Sequence, residues 1–269
     1  VQALDANTTA AGNTALGYQA MSANTTGTGN VAVGYQALDA VTTTSGHTAV
    51  GYSALGAATD SGNTAVGYLA CRDTAGGAYN VAVGHEALLV NTSGVYNVAV
   101  GNGSLDANTS GGNNTAVGRL ALSANTTASD NVAVGSTALD ANTTASYNTA
   151  VGSSALSATQ TGAQNTAVGT YALQNALEDN NTAVGYAAMQ NCTTGEYNTA
   201  VGHAALDATV TSDYNNAFGV SSLTTLTSGA NNNAFGSSAG QALTTGGSNA
   251  FFGGGAGYTQ TTAGSCAFF

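Results

Sequence analysis

The sequence predicts an all-β fold, a parallel β-solenoid of about fifteen coils with a seventeen-residue repeat. Three observations carry that expectation. Glycines recur at positions 17, 34, 51, 67, 84, 101, 118, 135, 152, 169, 185, 202, 219, 236 and 253, twelve intervals of seventeen residues and two of sixteen. The residues around each glycine repeat with it, as in Asn131-Val132-Ala133-Val134-Gly135. The 269 residues include no proline, as expected where nearly every backbone N–H enters a ladder. In such an array each unit buries its apolar face only against its neighbours.

The first element of each unit is a short strand over Asn-Thr/Val-Ala-Val. Side chains alternate across a strand, so Asn and Ala share one face and the Thr or Val and the Val share the other. Both faces carry an apolar row, and a strand apolar on both faces is buried on both. One face becomes the coil interior. The other needs a second layer, most simply another copy of the chain. The predicted interchain seam is the row Val33, Val50, Val66, Val83, Val100, Val117, Val134, Val151, Val168, Val184, Val201, Phe218, Phe235 and Phe252. Burying about fifteen Val-sized side chains there at roughly 1.5 kcal/mol each gives an upper bound on the order of 20 kcal/mol per chain. A charge at Val134 is expected to dissociate or unfold the assembly, whereas Ser136→Asp is expected to be silent.

The asparagine that opens each strand forms a second row: Asn13, Asn30, Asn63, Asn80, Asn97, Asn114, Asn131, Asn148, Asn165, Asn181 and Asn198, with His47 as the single exception. This row reads as a stacked amide ladder at the coil corner, each side chain bonding the next. The glycine after the strand either turns the backbone through a conformation other residues reach poorly or admits another backbone closely. The following Ala-Leu-x-Ala arm lacks β-branched residues. It is expected to be an irregular strand or one helical turn, with its Leu row filling the interior opposite the Ala row. The rest of each unit, rich in Asn, Thr, Ser and Gly, reads as turns. Residues 1–213 keep the regular unit. Residues 214–269 continue the solenoid with Phe- and Gly-rich units and a wider packing seam. The chain starts mid-unit and stops just short of a due glycine, so a fragment of a longer protein is expected.

Composition narrows the function. Two basic residues, Arg72 and Arg119, stand against thirteen acidic ones, for a formal net charge of -11. Nucleic-acid binding needs a cationic footprint that this chain lacks. No apolar run approaches a membrane span, so membrane insertion is not expected. Cys71, Cys192 and Cys266 lie many units apart, without disulfide or metal spacing. Cys71 stands in a Leu position, Cys192 in a turn and Cys266 in place of a ladder Asn. His85 and His203 follow unit glycines, and no acid or nucleophile constellation forms with them. No cofactor, metal or catalytic role is expected.

Two surface features remain. Tyrosines follow the glycine (Tyr18, Tyr35, Tyr52, Tyr68, Tyr186) or precede the ladder Asn (Tyr79, Tyr96, Tyr147, Tyr197, Tyr214), and exposed aromatic rows can stack on sugar rings. Ten asparagines fit the glycosylation sequon: Asn7, Asn24, Asn91, Asn102, Asn108, Asn113, Asn125, Asn142, Asn180 and Asn191. Of these, Asn7, Asn24, Asn91, Asn108, Asn125 and Asn142 share one turn position and are the candidate glycan sites.

The recurring Asn-Thr-Ala-Val-Gly and Asn-Val-Ala-Val-Gly blocks, followed by Tyr-x-Ala-Leu, resemble the head repeats of trimeric autotransporter adhesins and the repetitive shafts of bacteriophage tail fibres. The resemblance implies a left-handed parallel β-roll, three chains about one axis, and an extracellular adhesive or fibrous role. This chain departs from the adhesin pattern in its longer unit and its Ala-Leu arm. The expected function is a stiff structural fibre or adhesin shaft on a virion or cell surface. Its expected partners are copies of itself, as homotrimer or filament, and weakly and multivalently bound surface glycans. The alternatives are a self-contained solenoid that binds ice or polysaccharide, and a free glycosylated filament. Val31, Val81, Val98 and Val132 interrupt the Thr lattice that ice binding would use, so no thermal hysteresis is expected.

Overall fold

The structure, a computed structural model, describes residues 2–269. It is an all-β, parallel β-solenoid of about fifteen coils, with no helix among the described residues. The coils fall into two compact units, one ending at Ser136 and one running from Thr137 to Phe269.

In the first unit, three-residue strands from Thr14–Leu16 to Val132–Val134 pair in parallel, each with the strand one repeat later. The register never slips: Ala aligns with Ala and Val with Val, as in Ala99↔Ala116 and Val100↔Val117. A one-residue slip would turn the Ala row out to solvent and the Val row into a coil too thin for it. A second parallel pair, Asp73–Thr74 with Val90–Asn91, forms further round the coil. The second unit repeats the scheme from Thr149–Val151 to Ala267–Phe268. Its ladder runs without interruption into the Phe-rich coils, where Val201 aligns with Phe218.

The strand alternation is the one the sequence implies. From Val31–Val33 to Asn233–Phe235 the central Ala of each three-residue strand is buried, and the flanking residues, Thr or Val and Val in most coils, point outward. The strands are one residue shorter than expected, because the Asn lies just before them. Opposite the Ala row stand the fully buried Leu38, Leu55, Leu88, Leu105 and Leu122 of the first unit and Leu139, Leu156, Leu173 and Leu206 of the second, with Met21, Cys71 and Met189 as equivalents.

The Ala-Leu arm is neither strand nor helical turn. It is a run of turns in which the second and fourth residues after the glycine are left-handed, such as Gln36 (φ 52) and Leu38 (φ 57). The Gln36 N–H donates back to the Tyr18 carbonyl at 2.9 Å and the Leu38 N–H forward to the Ala54 carbonyl at 3.0 Å. The arm is therefore tied to the coils on both sides. A left-handed Leu costs roughly 1–2 kcal/mol, and complete burial of its side chain returns about 1.5–3 kcal/mol. Packing thus outweighs the local preference.

The last coils show the same trade in reverse. Phe251 takes an Ala position and is fully buried, its ring 5.1 Å from that of Phe268. The neighbouring Leu positions are Gly240 and Gly257, where an added Cβ would lie 3.0 Å and 2.2 Å from the Phe251 ring. The ring fills space that Leu side chains fill elsewhere. The Phe enrichment is therefore split between the interior and the outward row, and is not only a wider seam.

The unit glycine meets both demands expected of it. Gly84 has φ +141, and a Cβ there would sit 2.5 Å from the Gly101 carbonyl oxygen. Backbones stack so closely at this corner that a side chain has no room.

Candidate functional site: the outward strand face and its polar core support

The interior asparagines hold the strands in place. All fourteen ladder positions from Asn30 to Asn249, thirteen Asn and His47, lie at or below 1% exposure, and Asn13 at the start is half-buried. The ladder also takes in Asn215, Asn232 and Asn249. Its bonding differs from the amide-to-amide stack expected from sequence. Each Oδ1 accepts the backbone N–H of the next ladder residue, as Asn97 Oδ1 does from Asn114 at 3.0 Å. Most Nδ2 groups donate across the interior to a carbonyl fourteen residues on, as Asn97 does to Gly111 at 2.8 Å, whereas Asn165 reaches Glu178 O and Asn215 turns back to Asp213 O at 3.2 Å. Direct amide-to-amide bonds are the minority, for example Asn80 Nδ2 to Asn63 Oδ1 at 3.2 Å.

Sequence reasoning missed a second buried asparagine row. Asn24, Asn91, Asn108, Asn125 and Asn142 are fully buried, and each donates Nδ2 to the carbonyl three residues on, at 2.8–3.1 Å. This row does make an amide stack: Asn108 donates to Asn91 Oδ1 and Asn125 to Asn108 Oδ1, both at 2.8 Å. The two rows converge, because Gly111 O accepts from both Asn97 and Asn108. Where the next coil carries Val41, the Asn24 Oδ1 is buried without a hydrogen-bond partner. Cys192 belongs to this row too. It is buried, and its Sγ donates to Gly195 O at 3.7 Å, standing in for an amide at a position expected to be a turn.

This corrects the glycan assignment. A glycan on Asn24, Asn91, Asn108, Asn125 or Asn142 would have to leave from a nitrogen buried in the coil and committed to an interior carbonyl. Those five are withdrawn as glycan sites of the folded coil. Asn7 is half-buried, with Nδ2 donating to Ala10 O at 3.2 Å. The exposed sequon asparagines are instead Asn102, Asn113 and Asn191. The turn pattern in the sequence resembles a surface loop; only the coil closure turns it inward.

His47 takes the place of a ladder Asn and keeps its two bonds along the ladder, but not the bond across the interior. Its N–H donates to Asn30 Oδ1 at 2.9 Å, its Nδ1 accepts the Asn63 N–H at 3.3 Å, and its Nε2 lies 2.9 Å from Thr44 Oγ1. Accepting at Nδ1 requires the neutral ring with its proton on Nε2. Burial pushes its pKa below the ordinary value. Burial also pushes the Cys71 thiol up to about 12 and the Cys192 thiol up to about 11, so both are inert as nucleophiles. The half-buried Asp39, Asp106, Asp140 and Asp207, each five residues after a unit glycine, have carboxyls raised by desolvation.

The outward strand face is the candidate site. It presents two rows, one before the central residue of each strand (Thr or Val, then Asn216, Asn233 and Ala250 in the Phe-rich coils) and one after it (Leu16, then Val, then Phe), and no charged residue lies in either row. The Val row is half-buried at most coils, and Val83, Val168 and Val184 reach 36–37% exposure. In the Phe-rich coils Phe218, Phe235 and Phe252 stack at 4.8 and 5.2 Å with planes within 6°. Among the described residues nothing in either unit covers this face.

Aromatic side chains border the face. Tyr18, Tyr35, Tyr52, Tyr68 and His85 form one continuous stack, with centroids 4.9–5.4 Å apart and planes within 19°. Tyr79–Tyr96 and Tyr197–Tyr214 stack likewise at 5.3 and 5.1 Å. Each inner ring has a neighbour on both sides, so the ring faces that a sugar would cover are already occupied. The stacks offer edges, which weakens the sugar-stacking expectation. No pocket and no cluster of three metal-ligating side chains occurs among the described residues. Among the described residues no helix is long and apolar enough to cross a membrane.

Fold and surface together define a tandem-repeat β-solenoid protein with a hydrogen-bonded polar interior and one uncharged outward strand face. No protein-family model matches the chain, and no curated protein matches it.

Proposed function

We propose that the chain is a structural solenoid segment of an extracellular fibre or adhesin shaft, which assembles with copies of itself, most simply as a homotrimer, through the outward strand face. The observation that carries this reading is that face: two in-register rows, uncharged over eight strands in each unit, with no second layer from the described residues of that unit. Exposed contiguous apolar surface of this kind marks an interaction site. Identical period on identical copies makes self-pairing the partner that matches every row.

The energetics are smaller than the sequence estimate. Even the most exposed valines of the row, Val83, Val168 and Val184, are about two-thirds covered within the chain, so a partner removes only the remainder. That contributes about 0.5–1 kcal/mol per coil, or on the order of 5 kcal/mol for one unit, before the entropy of association. Assembly at this strength needs both units or adds the Thr row. The test is light scattering without denaturant, on wild type and on Val100→Asp. Three times the chain mass, falling to one with the variant, supports the reading. A wild-type monomer sinks it.

A second reading has one observation in its favour. Thr149, Thr166, Thr182 and Thr199 stand in register on four consecutive strands of the second unit, which is a more regular Thr row than the interrupted first unit provides. A surface-binding solenoid would use such a row, and a thermal-hysteresis measurement on the monomer separates it from the fibre reading.

A further inference from the structure

We propose that the tyrosine stacks are sites of oxidative coupling, where a one-electron oxidant joins neighbouring rings as dityrosine and so ties adjacent coils covalently. Two independent features point there. The first is geometry. Tyr18, Tyr35, Tyr52 and Tyr68 lie ring on ring at 5.2–5.4 Å, and Tyr79–Tyr96 and Tyr197–Tyr214 at 5.3 and 5.1 Å. All are about half exposed, at 43–56%, which leaves an oxidant access and the rings room to swing. Radical coupling is bimolecular in free solution; holding both rings in contact makes it effectively unimolecular.

The second feature is what the surface lacks. The chain has no tryptophan. Both methionines, Met21 and Met189, and the thiols Cys71 and Cys192 are fully buried. Apart from the half-buried Cys266 and the imidazoles His85 and His203, which a one-electron peroxidase oxidises far less readily than a phenol, the oxidisable side chains that reach solvent among the described residues are tyrosines. An electron withdrawn at the surface therefore comes from a phenol, and in the stacks the next phenol is its neighbour.

The chemistry balances as follows. The oxidant, a haem peroxidase with hydrogen peroxide, takes one electron from each of two stacked tyrosines, and each phenol proton leaves to water. The two phenoxyl radicals join at their ortho carbons, forming one carbon–carbon bond. The two ortho hydrogens then move to the oxygens as both rings regain aromaticity. Each link costs the chain two hydrogens, and the peroxide leaves as two waters. The result is a staple between residues one repeat apart, in a solenoid whose coils are otherwise joined by hydrogen bonds and packing. This inference does not depend on self-association through the strand face.

The test uses the full chain carrying Cys266→Ser, treated with a haem peroxidase and hydrogen peroxide. Dityrosine is read by fluorescence and the links are mapped by peptide mass spectrometry. Expected are the links Tyr18–Tyr35, Tyr35–Tyr52, Tyr52–Tyr68, Tyr79–Tyr96 and Tyr197–Tyr214, with a yield unchanged on dilution. The double variant Tyr35→Phe/Tyr52→Phe keeps the stacking but isolates Tyr18 and Tyr68. It should lose every link of that stack and retain Tyr79–Tyr96. The proposal is overturned if Tyr147 and Tyr258, which stack on no other tyrosine, are linked as often. It is equally overturned by a yield that falls with dilution, by a Tyr35–Tyr35 link that no single chain can make, or by no dityrosine from an oxidant that still couples free tyrosine.

Discussion

Removing one ladder amide tests whether the interior asparagines, rather than the strands alone, hold the coils together. In Asn97→Ala the backbone N–H of Asn114 loses its 3.0 Å acceptor and Gly111 O loses its 2.8 Å donor. Gly111 O keeps the Asn108 amide at 3.0 Å, so it is only partly unpaired. The Asn114 N–H is left with none in the buried interior, which costs about 1–3 kcal/mol. The lost bond to Gly111 and the small cavity bring the expected loss to about 2–4 kcal/mol. Urea melts followed by circular dichroism give the total, and hydrogen exchange should show the Asn114 amide losing protection. Thr92→Ala, at an exposed turn residue, is the control and should move stability by less than about 0.5 kcal/mol. Asn97→Asp sharpens the point. It keeps an acceptor for Asn114 but sets a carboxylate against the Gly111 carbonyl, so burial should raise its folded pKa above the unfolded value near 4. The folded state then binds the extra proton, and stability should fall as pH rises through that range. A loss below about 0.5 kcal/mol in Asn97→Ala, with unchanged exchange at Asn114, would refute the reasoning.

Three further outcomes are expected. Gly84→Ala places a Cβ 2.5 Å from the Gly101 carbonyl oxygen at φ +141. It should cost at least about 2 kcal/mol; a wild-type melting curve would show that the glycine corner tolerates side chains. His47 has its folded pKa lowered by burial, so its contribution is complete above the unfolded value of about 6.5 and is lost as pH falls below it. His47→Asn should therefore lose less stability than wild type between about pH 7.5 and pH 5. The raised carboxyls of Asp39, Asp106, Asp140 and Asp207 push the other way in both proteins, so the difference between the two melts isolates His47. A thiol reagent on the native chain should label Cys266 alone, with Cys71 and Cys192 reacting only after denaturation; rapid reaction at three thiols in buffer would contradict the buried rows.

Much of this architecture was legible from spacing. The seventeen-residue period, the inward Ala and the outward Val follow from alternation along one strand, which a sequence records directly. The Ala-Leu arm was not legible. Left-handed Leu38 or Leu88 is locally disfavoured, and no propensity points to it. The conformation exists because the interior on the far side of the coil rewards burial of that Leu. Asn108 and Cys192 misled for a related reason. Asn-Thr-Ser next to glycine has the chemistry of an exposed turn and a glycan acceptor, and whether its amide faces water or a carbonyl is decided by where the coil closes. A size exchange was visible only in retrospect: Phe251 in an Ala position and glycine in the Leu positions beside it.

By itself the sequence determined the class of fold, the register and the chemical identity of each row, because a strict repeat converts residue order into stacked neighbours. Tertiary structure alone decided which polar groups are interior and that the outward Val row is left only partly covered within the chain. Those outcomes depend on closing each coil across its interior, between residues such as Asn97 and Gly111 that one strand's periodicity never relates.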